Sequence, residues 1–344
     1  MSQQERTEVN QIGEFGLIEH LTKNFEIRKA GTLLAVGDDA AVIDHFGRQT
    51  VVTTELFIEG VHFDLTYTPL KHLGYKIVSA SISDICAMNA DPAQITVSIG
   101  ISNRFSVEAL TELYDGIYYA CEHYDIDLIG GDTTSAPQGL IISVTALGEV
   151  SPDKFVTRKG AQQGDLICVS GELGGAYLGL QLLEREKKIF MESPGVQPDL
   201  DNRAYVVGRL LKPEARLDIV EWLAAQEIVP TAMMDISDGL SSELFHICKD
   251  SAVGCTIYED KIPFHDEMRE VAYTFEIDPT ACALSGGEDY ELLFTVKQED
   301  YDKIRLSEKI SVVGYITEAG EGKKIITRKG NVHDLQAQGW QHFN

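Results

Sequence analysis

Met233-Met234-Asp235-Ile236-Ser237-Asp238-Gly239-Leu240 is an apolar run that ends in two acids, and Leu244, Ile247 and Cys248 then follow Leu240 at helical spacing. Such a segment reads as a strand or coil feeding the N-terminus of a helix. An N-cap needs only one of the two acids, which leaves the other and the Ser237 hydroxyl for another task. The helix start also offers free N–H groups to phosphate oxygens. An acid where an apolar element runs out recurs at Gly37-Asp38-Asp39, Thr53-Thr54-Glu55, Ser83-Asp84 and Gly130-Gly131-Asp132. Carboxylates alike in context but scattered along a chain can converge in the fold, and a converged cluster stays ionised only with cations to hold it. The pattern predicts a magnesium site built to carry polyphosphate.

The Asp84 segment is the sharpest of these. From Leu70 to Asn89, Leu73, Ile77, Ala80, Asp84 and Met88 fall on one helical stripe, and Val78, Ile82 and Ile85 form another. A helix apolar on both sides is covered on both sides, so an unpaired carboxylate within it is costly. Its partner is a cation, a hydrogen-bond cage or a base such as Lys76. Ile129-Gly130-Gly131-Asp132-Thr133-Thr134 reads either as a tight turn or as a strand end whose glycines let backbone approach a ligand.

Outward from these motifs, strands are expected at 32–36, 49–54, 94–99, 127–129 and 140–147, and helices at 13–25, 70–89 and 106–124. After Gly148 the pattern resets, with strands at 165–169, 254–258, 291–296 and 311–316 and helices at 171–183, 204–221 and 240–249. This is an α+β chain of two domains, 1–150 and 151–344, the boundary falling near Gly148 to Asp153. Its 344 residues suit two units that each bury an apolar interior. The charged, proline-bearing stretch from Glu184 to Asn202 is expected to be a mobile excursion.

With Lys+Arg 29 against Asp+Glu 54, the formal charge of -25 repels nucleic acid and anionic membrane surfaces. The six cysteines have no C-x-x-C pair and no zinc-like spacing, as expected of reduced core thiols in the cytoplasm. No apolar run approaches the roughly 20 residues a membrane helix needs, and no export signal is read at the start. The G-x-x-x-x-G-K-[ST] loop, the G-x-G-x-x-G fingerprint and the kinase catalytic loop are all missing, which excludes P-loop and protein-kinase folds. Ser170-Gly171-Glu172-Leu173-Gly174-Gly175 reads as a structural strand-to-helix joint rather than a phosphate loop.

Taken in order, Gly13-Glu14-Phe15, Gly37-Asp38-Asp39-Ala40, Glu59-Gly60-Val61-His62-Phe63, Gly74-Tyr75-Lys76, Ser83-Asp84, Gly130-Gly131-Asp132-Thr133-Thr134, Thr157-Arg158-Lys159-Gly160-Ala161, Asp235 to Leu240, Ser285-Gly286-Gly287-Glu288-Asp289-Tyr290-Glu291-Leu292 and Gly339-Trp340-Gln341-His342-Phe343 resemble the motifs of the thiamine-phosphate kinase family. That family lies in the aminoimidazole ribonucleotide synthetase-like superfamily. The resemblance implies two α/β domains of that type, with the N-terminal sheets of a homodimer paired. It further implies in-line transfer of the ATP γ-phosphoryl group to thiamine monophosphate, assisted by several magnesium ions. Carried over by position, Asp39, Thr53, Thr54, Glu55, Asp84, Asp132, Asp235 and Asp238 would hold magnesium. Gly131, Asp132, Arg158 and Ser237 would meet ATP, and His62, Glu288 and Trp340 the acceptor. Two positions depart from the family: Glu55 stands where Asp is usual, and Ser135-Ala136 replaces a common Arg-Gly pair.

No general base is required, because the acceptor phosphate has a second pKa near 6 and is largely deprotonated at neutral pH. Plainer roles stay open for some positions: a packed histidine beside Phe63 for His62, a tail anchor for Trp340, and turn or supporting acids for Asp38 and Asp289. His246 and His342 are read as structural. Another acceptor within the superfamily, a metal-dependent phosphatase and a non-catalytic cation-binding scaffold are the competing functions.

Overall fold

The computed structural model describes residues 32–34, 38–45 and 47–336. The expected opening helix at 13–25, Gly37, Trp340 and His342 lie outside the described residues.

The first half builds β1 (Thr32–Leu34), β2 (Ala41–Asp44), β3 (Gln49–Ile58), α1 (Leu70–Ala87), β4 (Asp91–Ile101), α2 (Val107–Tyr124), β5 (Asp127–Ser135) and β6 (Leu140–Val150). Among the described residues its six strands lie in the order β1-β2-β3-β6-β4-β5, antiparallel except for the β4–β5 pair. Alternation decides the faces: Val51, Phe57, Ile95, Val97, Ile99, Ile142 and Val144 point under α1 and α2. The other face leaves Leu56 51% exposed, with Ile141 beside it. The two helices touch backbone to backbone at Gly74 and Gly116, where an added Cβ would lie 2.0 Å from Leu113 O or from Lys71 O.

The second half contains β7 (Leu166–Ser170), α3 (Gly175–Glu192), α4 (Ala204–Leu211), α5 (Leu217–Ala225), β8 (Ala232–Ile236), α6 (Leu240–Ser251), β9 (Val253–Tyr258), α7 (Asp266–Thr274), α8 (Pro279–Ser285), β10 (Glu291–Val296), α9 (Tyr301–Ile304), β11 (Ile310–Glu318), β12 (Lys323–Ile326) and β13 (Val332–Asp334). These seven strands run β13-β12-β9-β11-β7-β10-β8. The fold is the α+β arrangement expected. Among the described residues no helix is long and apolar enough to cross a membrane.

Several local expectations change. The helix expected at 204–221 is two helices, because Pro213 removes a donor and clashes with the preceding turn. Helix α3 starts at Gly175 and runs to Glu192, so it takes in the first part of the expected excursion. Asp199 N–H then donates to the buried Glu186 carboxylate at 2.9 Å and ties the following segment down. Thr53-Thr54-Glu55 and Gly130-Gly131-Asp132 sit inside β3 and β5 rather than at strand ends. The second half buries an interior of its own on one face of its sheet, around Ile167, Met234, Leu244 and Leu293, while the other face joins the core of the first half. One apolar cluster runs from Val51 and Ile142 through α1 (Leu73, Ile77, Ile82) to Met233, Leu292 and Phe294 of the second sheet. Helix α1 is thus enclosed between the two sheets, which accounts for its apolar stripes on both sides.

Candidate active site

Three chain segments bring carboxylates together where α1 meets the ends of both sheets. Asp39 comes from the turn before β2, Asp84 from the last turns of α1 and Asp235 from β8. Each offers an oxygen within 4.8 Å of the other two. Asp39 and Asp84 are half-buried as whole residues, the Asp39 side chain itself is nearly closed off, and Asp235 is buried.

Hydroxyls hold two of the three in place. Thr53 Oγ1 donates to Asp84 Oδ2 at 2.7 Å, and Ser83 Oγ donates to Asp235 Oδ2 at 2.7 Å. Arg158 grips Asp39 with both Nε, at 3.1 Å from Oδ2, and its terminal nitrogen on Oδ1. Its backbone N–H donates to Asp38 Oδ2 at 3.2 Å. Asp38 thus accepts both from Arg158 N–H and, at 3.0 Å, from Asp39 N–H in its own turn.

One guanidinium against three carboxylates leaves the cluster short of positive charge. Burial, and then the charges of Asp235, Glu55 and Asp39, hold the Asp84 carboxyl well above the ordinary carboxylate range. Burial and Asp39 push Asp235 up to about 7. Burial and Asp39 likewise bring Asp38 to about 7. The protein carries these acids ionised only if something positive joins them, and an all-oxygen donor set suits hard divalent ions such as magnesium. Lys76 does not serve Asp84, although it lies on the same helix. Its buried ammonium pairs with Glu288 at 3.0 Å.

The remaining sequence candidates divide. Glu55 acts electrostatically on both Asp84 and Asp235 from β3. Asp238 follows Asp235 in the turn before α6, its N–H donating to Glu243 Oε1 at 2.9 Å. The Ser237 carbonyl accepts from Glu288 N–H at 2.7 Å, so the loop carrying Glu288 is fastened to the turn carrying Ser237. Thr54, which alternates away from Thr53, bonds Thr145 at 3.1 Å on the open face of the sheet. Asp132 is exposed on β5 and outside the three-carboxylate cluster. At Gly131, beside it, a Cβ would lie 1.8 Å from Val97 O. The His62 ring meets Phe57 edge-on at 6.2 Å, and its Nδ1 accepts from Ile58 N–H at 3.0 Å. Sequence reasoning missed the Ser83 hydroxyl, for which its place one residue before Asp84 was the available signal.

A second charged cluster lies nearby. Asp289 accepts from Gly174 N–H at 2.6 Å and from Ala176 N–H at 3.4 Å, filling the start of α3 with the protein's own carboxylate. That accounts for the Ser170-to-Gly175 turn as a joint. Glu291 meets Arg209 at 3.0 Å, Arg216, and the Ser170 hydroxyl at 2.5 Å.

The fold is that of the AIR synthase related proteins. The family models for their N-terminal and C-terminal domains match residues 37–150 and 162–326. The thiamine-monophosphate kinase of Aquifex aeolicus (strain VF5) is 32% identical over 97% of this chain and 99% of its own. That of Bacillus subtilis (strain 168) is 31% identical over 96% of this chain and 100% of its own. The solved structure "AaThiL complexed with AMPPCP and TMP" superposes with a TM-score of 0.83 at 32% identity, covering 99% of this chain and 100% of the other. The chain belongs to the thiamine-monophosphate kinase family.

Proposed function

We propose that the protein moves the γ-phosphoryl group of ATP onto the phosphate of thiamine monophosphate, giving thiamine diphosphate and ADP. The observation that carries this reading is the convergence of Asp39, Asp84 and Asp235 beside Arg158. Family membership and a structural neighbour solved with AMPPCP and TMP support it.

Asp39, Thr53, Glu55, Asp84, Asp235 and Asp238 would hold magnesium, with Thr54 and Asp132 contributing from the outer face of the sheet. Bound there, magnesium supplies the positive charge that lets two polyanions meet and polarises the phosphoryl oxygens. Arg158 gives ATP a charge-assisted contact, and Gly131, Asp132 and Ser237 complete the nucleotide site. His62, Glu288 and Trp340 receive the acceptor, with Lys76 keeping Glu288 oriented. No side chain removes a proton, because the acceptor phosphate arrives deprotonated.

Residues 1–150 form the part that pairs with a second copy and binds ATP and magnesium, and residues 151–344 complete the nucleotide and acceptor sites. The exposed Leu56, Ile129 and Ile141 on the first sheet suit pairing with a second copy in a homodimer. The six cysteines are free and buried, as suits a cytoplasmic protein. The acidic net charge argues against a nucleic-acid partner.

Incubation with magnesium, ATP and thiamine monophosphate, followed by separation of the thiamine products, tests the reading. Thiamine diphosphate and ADP in equal amounts are expected. Inorganic phosphate without thiamine diphosphate identifies a phosphatase and overturns the proposal.

A further inference from the structure

The chain between β3 and α1 is a strap that reaches from the first half onto the second. It opens with the tight turn that carries His62, where Val61 N–H and His62 N–H both donate to Ile58 O, at 3.1 and 2.9 Å. Asp64 starts a second turn, its Oδ1 accepting from Thr66 N–H at 2.8 Å and its carbonyl from Thr68 N–H at 2.9 Å. Two bonds then fasten the strap to α3. Lys187 Nζ donates to Asp64 Oδ2 at 2.5 Å, and the Tyr67 hydroxyl donates to Glu184 Oε1 at 2.7 Å. Lys187 also stands 3.6 Å from Glu184 Oε1, so one ammonium serves both carboxylates. The Tyr67 ring packs on the small apolar cluster of Leu183, Leu210 and Leu211.

This clasp is one of three joints between the second half and the stretch of chain that ends in Asp84. The others are Lys76 to Glu288 at 3.0 Å and Ser83 to Asp235 at 2.7 Å. A helix rises 1.5 Å per residue, so Ser83 lies roughly 20 Å along α1 from its start, with Lys76 near the middle. The metal-binding end is therefore pinned separately from the end where the strap enters. Glu288 is fixed as well. Its φ of 64° lies in the region that favours glycine and is enforced by the bond from Glu288 N–H to Ser237 O at 2.7 Å. Just beyond it Leu292 opposes Asp235 and Glu291 opposes Ile236. Opposed residues of an antiparallel pair share a face, so Leu292 and Asp235 look toward α1 and Glu291 looks away. Glu288 and Asp235 thus belong to one rigid unit, and the His62 turn is tied to that half of the protein by the clasp two residues further on.

We infer that Lys187 is a positioning residue for the acceptor: by holding Asp64 it sets the spacing between the His62 turn on the first half and Glu288 on the second. This rests on the function proposed above, in which those two residues receive thiamine monophosphate. The ion pair is partly exposed, its side chains 30% and 26% accessible, so it contributes little to overall stability. Its loss shifts a strap without unfolding a domain. The start of the segment that the sequence marks as a mobile excursion is in this way a fixed anchor.

Lys187→Met keeps the length of the stem and removes the charge. The KM for thiamine monophosphate should rise about fivefold, the factor that matches loss of one partly exposed pair. The KM for ATP and the apparent magnesium affinity should stay within about 1.5-fold, and the melting temperature within about 3 °C. Lys187→Arg keeps the charge and should bring the acceptor KM back to within about twofold of wild type. Asp64→Asn keeps the Thr66 bond and should raise the same KM, and the double variant with Lys187→Met should rise no further, because both act through one bond. An unchanged acceptor KM in Lys187→Met overturns the inference, as does an equal rise for ATP or an additive double variant. Wild-type protein that makes no thiamine diphosphate sinks the proposed function instead, so the two failures are told apart.

Discussion

Two charged clusters lie on opposite faces of β8 and β10, a strand's thickness apart, and their charge balance differs. On the far face Asp289 and Glu291 meet Arg209 and Arg216, and hydrogen bonds from Ser170, Gly174 and Ala176 complete the set. On the face toward α1, Asp39, Asp84 and Asp235 share one guanidinium. A balanced buried network satisfies itself and holds elements together. A cluster with surplus carboxylate is incomplete without a ligand, and its unfavourable electrostatics in the ligand-free protein mark a site. Burial alone does not distinguish them, since it raises Asp289 to about 7 as it does Asp235.

The comparison breaks most readily at Asp84. Asp84→Asn is expected to lower the transfer rate on the order of 10³-fold while leaving the metal-free protein as stable or more stable, because it removes like-charge repulsion. Product assays and urea unfolding read both halves, and full activity would remove Asp84 from the mechanism. Arg216→Met should do the opposite on the far face. It leaves the buried Glu291 short of a partner and is expected to cost about 3–5 kcal/mol of unfolding free energy. A cost below about 1 kcal/mol would show that the network does not hold the fold.

The pH response sharpens the contrast. Asp235 titrates near 7 when folded and near 3.8 when unfolded, so the native state binds the extra proton. The stability this group contributes is complete below about pH 4 and is lost as pH rises through 7, by up to about 4 kcal/mol. Urea unfolding of metal-free protein at several pH values should show this decline, and saturating magnesium should abolish it. A flat profile without metal would mean that the cluster is not strained. Glu55→Asp is the mildest test. It shortens the side chain by one methylene and should change apparent magnesium affinity by less than about tenfold, as read from the magnesium dependence of the rate.

Much of this was legible along the chain. The two-sided apolar pattern of α1 foretold its burial, and the recurring acids foretold a cluster, because periodicity and local context are written in consecutive residues. The errors came where context depends on distant partners. Thr53-Thr54-Glu55 looked like a strand end because polar residues interrupt an apolar run, yet β6 pairs β3 along its whole length and carries the strand on to Ile58. Lys76 looked available to Asp84 from its helix, but Glu288 reaches it from the other half of the chain.

Residue order by itself determined the α+β character, the acidic motifs and the family to which they belong, since these depend on side-chain chemistry and short-range spacing. Only the tertiary structure decided that Asp39, Asp84 and Asp235 share one site while Asp132 and Thr54 stand on the open face of the first sheet. Strand register sets which face a side chain takes, and the packing of α1 between two sheets sets which segments meet. Both are long-range consequences of burying apolar side chains on both faces of the second sheet, one of those faces against the first half.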